Sequence, residues 1–491
     1  MTTDAPTRID ALAGRLRTEL TPAQVITDRQ ELRTYECDGL AQYKVIPALV
    51  ALPHTAEQVA AVVTACADAG VPFVARGSGT GLSGGALPHA DGVLIVTAQM
   101  RHIIEVASAD ERAVVEPGVI NLQVTKAATP HGYYYAPDPS SQQICSIGGN
   151  VAENSGGAHC LKYGFTTNHV TGLQVVTPDG DLVRLGGRAP DPPGYDLLGA
   201  FVGSEGTLGI ATEVTVRLVR LPEAVSTLLA GFRSTDEAGA ATSAIIGAGV
   251  VPAAIEMMDA LAIEAAEAAV HCGYPDGAGA VLIVELDGPA SEVDAQFEHA
   301  ERLCRDNGAF EIRIARDDAE RALFWKGRKS AFAAVGRISP DYIVQDGVIP
   351  RTALPEVLRR IAELSERTGV RVANVFHAGD GNLHPLVLFD DAVEGQAERA
   401  EEVSGAILDL CIEHGGSITG EHGVGMDKAK YMPRMFSDDD LDTMQLVRCA
   451  FDPDGLSNPG KVFPTPRLCG EVPGRHRGAH PLQEAGVAEV F

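Results

Sequence analysis

The chain has 491 residues, more than one hydrophobic core accommodates, so its length predicts two or more domains. Its hydrophobic fraction of 45% and charged fraction of 21% are typical of a globular protein. A formal net charge of -27 argues against a nucleic-acid partner, because neutralising phosphates requires Lys and Arg. No apolar run approaches the roughly 18 residues of a membrane span. The first residues carry no secretory pattern, so we expect a cytoplasmic protein.

Nine cysteines are dispersed along the chain without a C-x-x-C spacing: Cys37, Cys66, Cys145, Cys160, Cys272, Cys304, Cys411, Cys449 and Cys469. An odd, dispersed set of this kind predicts reduced thiols and not a disulfide framework. It also argues against an iron–sulfur cluster within this chain, because such clusters are held by closely spaced cysteines.

A predicted βαβ unit leads into the first of three glycine-rich loops. It consists of a strand at 49–52, a helix that begins at Thr55, and a strand at 71–75. Residues 76–86, RGSGTGLSGGA, form the first glycine loop, whose amides can line a nest for phosphate. Because a predicted strand at 93–97 follows, and not a helix, its G-x-G-x-x-G is not a Rossmann fingerprint. For this loop alone, a structural turn is the alternative.

Two further polar loops follow. The second glycine loop, residues 137–157, reads PDPSSQQICSIGGNVAENSGG, and its composition predicts no regular element but a surface that wraps a polar ligand. The third glycine loop, residues 201–210, reads FVGSEGTLGI and precedes a predicted strand at 211–218. Three such loops predict a large, extended, phosphate-bearing cofactor.

The pattern changes near residue 221. A β-α-β-α-β spacing over 227–287 predicts a second, α+β domain with an antiparallel sheet. A predicted helix over 324–336 carries Lys326, Arg328 and Lys329. We interpret its cations as a solvated face, with the exception of Arg328.

Two histidines flank a predicted tight turn in NVFHAGDGNLHPL, residues 374–386. Because side chains alternate along a strand, a hairpin would place His377 and His384 on one face. Glu421 and His422 lie between glycines in SITGEHGVG, residues 417–425, which we call the Glu421 loop. Two imidazoles and a carboxylate predict a divalent-metal site with a spare histidine. Each histidine alone would be explained more simply by ordinary hydrogen bonds.

Together these motifs resemble the vanillyl-alcohol-oxidase-type flavoproteins that oxidise 2-hydroxy acids. This family includes D-lactate dehydrogenase, D-2-hydroxyglutarate dehydrogenase and the FAD-linked catalytic subunit of glycolate oxidase, and several motifs resemble those of the last. The similarity rests on YECDGL at 35–40, APDPSSQ at 136–142, HCLKYG at 159–164 and FHAGDGNLHPL at 376–386. It extends from about residue 25 to about residue 465.

The resemblance implies an α+β fold. A PCMH-type FAD-binding domain of two subdomains would be followed by an α+β substrate (cap) domain with an antiparallel sheet. The implied divisions are a helical lead-in at 1–44, the FAD-binding domain at 45–222, the substrate domain with the metal site at 223–430, a C-terminal helical segment at 431–465 that returns to the FAD-binding domain, and a tail at 466–491.

The resemblance also implies non-covalent FAD. The first loop has no His for a covalent bond, and the similar subfamily forms none through a residue such as Cys145. The first loop would hold the pyrophosphate, the second the flavin and ribityl chain, and the third the adenosine side. The implied FAD-binding residues are Arg76, Gly77, Ser78, Gly79, Thr80, Gly81, Ser83, Gly84, Gly85, Pro137, Asp138, Ser140, Ser141, Ser146, Gly148, Gly149, Asn150, Asn154, Gly156, Gly157, Glu205, Gly206, Ile210 and Asn458.

In the family pattern His377, His384 and Glu421 match the metal ligands, with zinc favoured and manganese or iron as alternatives. His422 matches the base. Arg328 matches the residue that binds the substrate carboxylate, a role that suits a planar guanidinium. The implied reaction oxidises a small 2-hydroxy acid, glycolate or D-lactate, to glyoxylate or pyruvate, with hydride transfer to flavin N5.

Two apolar residues favour a monocarboxylate substrate. Leu386 stands where relatives that oxidise hydroxyglutarate have Asn, and Val344 stands where they have an assisting Lys. A second substrate carboxylate would therefore be buried without partners, which is costly.

The reduced flavin must pass on its electrons, and the chain has neither an iron–sulfur motif nor an NAD fingerprint. The resemblance implies a second flavin-binding-type subunit and an iron–sulfur subunit as partners, with peripheral membrane association through them. Direct reduction of a quinone or an electron-transfer flavoprotein is the alternative.

Other functions that remain open are D-2-hydroxyglutarate dehydrogenase and a non-catalytic flavin-binding subunit, although the latter predicts loss of the site residues. A metal hydrolase would leave the glycine loops unexplained.

Overall fold

The structure, a computed structural model, describes residues 5–189 and 194–464. The predicted tail at 466–491 lies outside these residues. Within the two described ranges, no helix is both long enough and apolar enough to cross a membrane.

The N-terminal part of the chain forms a small, mainly parallel sheet. Its elements are α1 (Ala5–Glu19), β1 (Val25–Ile26), α2 (Arg29–Leu32), β2 (Leu49–Ala51), α3 (Ala56–Ala69), β3 (Phe73–Arg76) and β4 (Val93–Val96). The strand order is β1-β2-β4-β3, and β2 and β3 both run parallel to β4. The Thr55 hydroxyl accepts a hydrogen bond from Gln58 N and caps α3, which confirms the predicted βαβ unit.

An antiparallel five-stranded sheet follows, in the order β5-β6-β10-β8-β9. The elements of this part are β5 (Ile103–Ala107), β6 (Arg112–Val115), α4 (Asn121–Ala128), β7 (Tyr133–Tyr134), α5 (Ile147–Glu153), α6 (Cys160–Tyr163), β8 (Val170–Val176), β9 (Leu182–Gly186), α7 (Leu197–Phe201), β10 (Ile210–Arg217) and β11 (Val219–Arg220). As predicted, a strand and not a helix follows the first glycine loop.

Helix α5 corrects one prediction, because the second glycine loop was expected to contain no regular element. Ile147 and Val151 of α5 are buried in the core beneath the five-stranded sheet. This packing outweighs the poor helix propensity of two glycines. Gly148 is also required sterically, since an added Cβ would lie 2.6 Å from the Pro117 side chain.

The remaining strands form one antiparallel sheet, as predicted, in the order β15-β12-β14-β13-β18-β19-β16, with β17 beside β19. Helices α8, α10, α12 and α13 pack on one face of this sheet, and helices α9 and α11 pack on the other face. The elements are β12 (Ala224–Phe232), α8 (Thr235–Gly247), β13 (Ala254–Asp259), α9 (Ala260–Val270), β14 (Ala280–Gly288), α10 (Ala290–Asp306), β15 (Glu311–Ile314), α11 (Asp318–Val335), β16 (Asp341–Val344), β17 (Gly347–Val348), α12 (Leu354–Thr368), β18 (Val372–His377), β19 (Asn382–Phe389) and α13 (Gln396–Glu413).

The C-terminal segment contains α14 (Met432–Met435) and α15 (Asp438–Phe451) and returns to the first two sheets. Asn458 N donates to the Phe73 carbonyl at 2.8 Å. Ser457 Oγ donates to the Gly206 carbonyl at 2.7 Å. The predicted return of this segment is confirmed.

The cysteines follow the prediction only in part. Free thiols are found at Cys37, Cys66, Cys145, Cys160, Cys272, Cys304 and Cys411. Cys449 is disulfide-bonded, so the prediction of reduced thiols is wrong at that position.

Candidate active site

The three glycine loops line one cavity of about 1100 Å³ between the first two sheets and the eight-stranded sheet. Its wall also contains Glu421 and His422, so the predicted cofactor loops and the predicted base face the same space. The predicted FAD-binding residues on this wall are Arg76, Gly77, Ser78, Gly79, Thr80, Gly81, Gly85, Ser140, Ser141, Ser146, Gly148, Gly149, Asn150, Glu205, Gly206 and Ile210.

The other predicted FAD-binding residues do not line this cavity. Asn458 shows what such residues do: its Nδ2 donates to the carbonyls of Gly85 at 2.9 Å and Glu205 at 2.5 Å, and so joins the first and third loops. The residues in this group are Ser83, Gly84, Pro137, Asp138, Asn154, Gly156, Gly157 and Asn458.

The first and second glycine loops are in direct contact. Ser78 N donates to Ser146 Oγ at 3.2 Å. A Cβ on Gly77 would collide with the same hydroxyl, so a larger residue here would displace the Ser146 side chain from this contact. Arg76 is buried and donates to the Ala86 carbonyl at 2.7 Å, which closes the two ends of the first loop.

Glu205 joins the third glycine loop to the Glu421 loop. Its buried carboxylate accepts hydrogen bonds from Val424 N and Gly425 N, each at 2.6 Å. The resemblance implied a role on the adenosine side. The residue does line the cavity, but its carboxylate serves the Glu421 loop.

The histidine hairpin forms as predicted from β18 and β19, with His377 opposite Asn382 and Val375 opposite His384. The two imidazoles share one face, with ring centroids 5.0 Å apart. Glu421 Oε1 lies 3.5 Å from Nε2 of His377 and 3.1 Å from Nε2 of His384. Their donor atoms lie within 4.8 Å of one another, which is a compact set for one metal ion.

Glu256 on β13 was missed by the sequence interpretation. Its Oε1 lies 2.7 Å from His377 Nδ1, and its Oε2 lies 2.6 Å from Arg328 Nε. The first contact turns His377 Nε2 toward Glu421, as carboxylates do for metal-bound histidines. Burial lowers the pKa of His377, but Glu256 and Glu421 raise it well above its ordinary value. The sequence signal that could have identified Glu256 is its position as a charged residue within the apolar run AIEMM, residues 254–258.

Asp346 was also missed, and it organises the Glu421 loop. Its fully buried carboxylate accepts hydrogen bonds from Thr419 Oγ1 at 2.6 Å, Gly420 N at 3.0 Å and His422 N at 2.9 Å. Lys428 Nζ donates to it at 3.2 Å. Burial opposes ionisation, but Lys428 holds the pKa of Asp346 well below its usual range. An ionised Asp346 therefore fixes the backbone on both sides of Glu421.

His422 lies beside the candidate metal ligands, with its Nε2 3.7 Å from Glu421 Oε1. Its ring stacks on His384, with centroids 5.0 Å apart. Burial is the main cause that lowers the pKa of His422 to about 4. The imidazole is consequently neutral near pH 7 and is able to accept a proton.

Arg328 is buried and is not among the residues that line the cavity. It is 2% exposed, and its Nη2 has no hydrogen-bond partner among the residues that the structure describes. Its guanidinium lies 6.0 Å from the ring of Phe332, which does line the cavity. Lys326 and Lys329 of the same helix are exposed, as predicted. An unpaired, buried guanidinium donor is suited to bind an anion.

Two family profiles match the chain along most of its length. The profile described as "FAD binding domain" matches residues 47–186, and "FAD linked oxidases, C-terminal domain" matches residues 221–462. The glycolate oxidase subunit GlcD of Escherichia coli K12 is 52% identical over 461 residues, covering 94% of this chain and 92% of the relative. The chain belongs to the FAD-linked oxidases.

Two other relatives of this FAD-linked oxidase extend the comparison. GlcD of Bacillus subtilis is 40% identical, covering 87% of this chain and 92% of the relative. A D-lactate dehydrogenase of Anaerostipes hadrus is 30% identical, covering 90% and 95%. The predicted family, the oxidoreductase class and FAD as cofactor are thereby confirmed.

Solved structures confirm the predicted fold class of the FAD-linked oxidase. The 4-ethylphenol oxidase from Gulosibacter chungangensis superposes with a TM-score of 0.77 at 17% identity, covering 94% of this chain and 98% of that one. p-Cresol methylhydroxylase superposes with a TM-score of 0.77 at 16% identity, covering 93% and 97%.

The cavity suits the cofactor of this family. Its volume is about 1100 Å³, and residues of all three glycine loops line it. Two buried oxygens on its wall, Ser204 Oγ and Glu153 Oε2, have no hydrogen-bond partner among the described residues. Buried polar atoms normally find partners, so these are groups that a polar ligand can satisfy.

Proposed function

We propose that this enzyme oxidises a small 2-hydroxy monocarboxylate, glycolate or D-lactate, to the 2-oxo acid, using non-covalent FAD and one divalent metal ion. One observation carries the proposal. The imidazole Nε2 atoms of His377, His384 and His422 surround a single Glu421 oxygen at 3.1–3.7 Å, on the wall of the cavity lined by the glycine loops.

The donor set fits a metal ion. His377, His384 and Glu421 would hold it, with zinc favoured and manganese or iron as alternatives. Glu256 holds His377 through Nδ1, and Asp346 holds the backbone of Glu421, so both ligands are oriented without a metal. When bound, FAD accepts the α-hydride and the metal polarises the substrate hydroxyl.

Two residues act on the substrate. His422, neutral at its low pKa and stacked beside His384, takes the hydroxyl proton as the C–H bond breaks. Arg328, which does not line the cavity in this structure, would have to reach past the wall to bind the substrate carboxylate with its unpaired Nη2. Arg328 and His377 share the Glu256 carboxylate, so the carboxylate-binding group and a metal ligand are held in a fixed relation.

The wall next to the metal ligands favours a small substrate. Val344 and Leu386 are cross-strand partners on β16 and β19, and Val344 lines the cavity while Leu386 is fully buried. Phe332 also lines the cavity, edge-on to His384 with centroids 5.9 Å apart. No polar atom of these three side chains is available for a second carboxylate, which disfavours a dicarboxylate such as D-2-hydroxyglutarate.

The electrons leave through partners in this proposal. GlcD is named as a subunit of glycolate oxidase, which supports a complex that contains a second flavin-binding-type subunit and an iron–sulfur subunit. In such a complex this chain would work in the cytoplasm, associated with the membrane only through its partners. Copurification of a Cys-rich chain would distinguish this route from direct reduction of a quinone.

The substrate proposal is tested by anaerobic mixing of the FAD-loaded enzyme with glycolate, D-lactate and D-2-hydroxyglutarate, following loss of flavin absorbance. We expect rapid bleaching with at least one of the first two acids and slow bleaching with the third. Fastest reduction by D-2-hydroxyglutarate would refute the proposed substrate class. No reduction by any acid would refute the activity itself.

A further inference from the structure

The motif HCLKYG, residues 159–164, contains the short helix α6 and lies between the two halves of the molecule. It belongs to the FAD-binding part of the chain, yet its polar side chains contact the eight-stranded sheet. The proposed reaction uses none of these residues. Their contacts therefore need a separate explanation.

His159 bridges two carboxylates from different domains. Its Nδ1 lies 2.9 Å from Oδ2 of Asp138, in the second glycine loop, and its Nε2 lies 3.3 Å from Oε1 of Glu285, on β14. The side chain is 24% exposed and Glu285 is 8% exposed. Burial lowers the pKa of His159, but the two carboxylates raise it to about 10, so the ring is a cation near pH 7.

Trp325 connects this bridge to the helix that carries Arg328. The indole is stacked with the His159 ring, with centroids 5.8 Å apart and planes at 28°. Its Nε1 donates to Glu285 Oε2 at 2.7 Å, and Thr227 Oγ1 donates to the same oxygen at 2.7 Å. Trp325 precedes Arg328 by one turn of α11, so the two side chains move with one rigid element.

Further contacts of α6 make the same connection. Lys162 Nζ pairs with Asp287 on β14, and Tyr163 OH donates to the other Asp287 oxygen at 2.8 Å. Leu161 packs against the core of the eight-stranded sheet and reaches Gly379 in the turn of the histidine hairpin. The motif thus contacts both β14 and the turn between the two metal-ligating histidines.

From these contacts we infer that His159 is a positioning residue. Its charged ring holds the flavin-side loop through Asp138 and the substrate-side elements through Glu285 and Trp325, which sets the distance between flavin and substrate. The inference rests on the proposed function. A displacement of about 1 Å in such a site costs on the order of 100-fold in rate. A change at His159 should therefore slow hydride transfer without loss of FAD.

The test uses the FAD-loaded full chain and the variant His159→Gln. With saturating glycolate or D-lactate, we expect the rate constant for flavin reduction to fall at least about tenfold. FAD should remain bound, because His159 does not line the cavity. The control His102→Gln removes another His–carboxylate pair, in which His102 Nδ1 lies 2.8 Å from Glu116 Oε2. The His102 side chain is exposed, and the pair lies within the FAD-binding part. This control should reduce at the wild-type rate.

If His159 acts through its charge, a second and stricter prediction follows. His159→Gln leaves Asp138 and Glu285 without the cation between them, and an unpaired buried charge is strongly unfavourable. Adding Glu285→Gln should therefore restore part of the rate lost in His159→Gln, and part of the thermal stability if the single variant is poorly folded. Losses that merely add in the double variant would overturn the inference, because they indicate space filling and not charge pairing.

Failure of the proposed function can be distinguished from failure of the positioning role of His159. If wild type is reduced by none of the three acids, the proposed function fails, and amide hydrogen exchange then decides on the bridge. His159→Gln should increase exchange in both α6 and α11, and His102→Gln in neither. Unchanged exchange in α11, or a wild-type reduction rate in His159→Gln, would overturn the positioning role.

Discussion

At the scale of single residues, the site is held by carboxylates that do not themselves face the cavity. Glu256 fixes the ring of His377, and Asp346 fixes the backbone of Glu421 and His422. Both are fully buried. Such buried acceptors would keep the proposed ligands in place before a metal binds, which would lower the ordering cost of binding it.

Removal of the proposed base should separate catalysis from cofactor binding. His422→Ala should slow flavin reduction by substrate by about 10²–10⁴-fold, the usual contribution of a general base. FAD should remain bound, because the glycine loops are unchanged. Anaerobic stopped-flow spectroscopy measures the rate, and flavin absorbance measures occupancy. His131→Ala, at an exposed histidine, is the control; reduction of His422→Ala at the control's rate would refute its role.

Glu256→Gln should weaken metal binding and not FAD binding. The amide keeps the shape of the side chain but loses the charge beside His377 and Arg328. Loss of such a partner typically costs about 10–100-fold in metal affinity. Zinc titration against a chelating competitor measures this affinity. An affinity equal to that of wild type would show that Glu256 does not orient His377.

At the scale of elements, the proposed substrate preference rests on strands β16 and β19. Val344 faces Leu386 across this pair, on the side of the sheet that carries His384. A cation and an amide at these positions would lie next to each other and next to the metal ligands. The strand register therefore makes the two positions one structural unit.

The paired change Val344→Lys with Leu386→Asn should raise activity on D-2-hydroxyglutarate relative to glycolate. With these two partners, the second carboxylate of D-2-hydroxyglutarate would avoid the desolvation penalty, which is about 1–3 kcal/mol for a buried, unsatisfied polar group. Flavin reduction rates with both acids measure the ratio. Val393→Lys, an exposed position outside the cavity wall, controls for added charge. An unchanged ratio would count against this wall as the specificity element.

Features that depend on neighbouring residues could be predicted from the sequence, whereas contacts between residues distant in the chain could not. The turn of the histidine hairpin and the three glycine loops carry their signals within a few residues. Glu256 and His377 are 121 residues apart, and Asp346 and His422 are 76 apart. No local pattern encodes those contacts, because they arise when strands pair. Helix α5 was missed for a related reason, since its stability comes from the packing of Ile147 and Val151 and not from its own composition.

At the scale of the whole molecule, the bridge between domains should make stability depend on pH. The pKa of His159 is raised to about 10 in the folded chain and is about 6.5 for an unfolded histidine. The bridge therefore contributes its full stabilisation below pH ~6.5, and this is lost as pH rises toward 10. Urea unfolding at several pH values should show the free-energy difference between wild type and His159→Gln shrinking with rising pH. A constant difference would contradict a charged His159.

The Asn458 contacts have a consequence for the order of events during synthesis. This side chain joins the first and third glycine loops by bonding to Gly85 and Glu205, residues that are made long before it. The cradle for the cofactor can therefore close only after residue 458 has been synthesised. FAD should be retained only by chains that extend past this residue, and a chain truncated before residue 458 should be released without flavin.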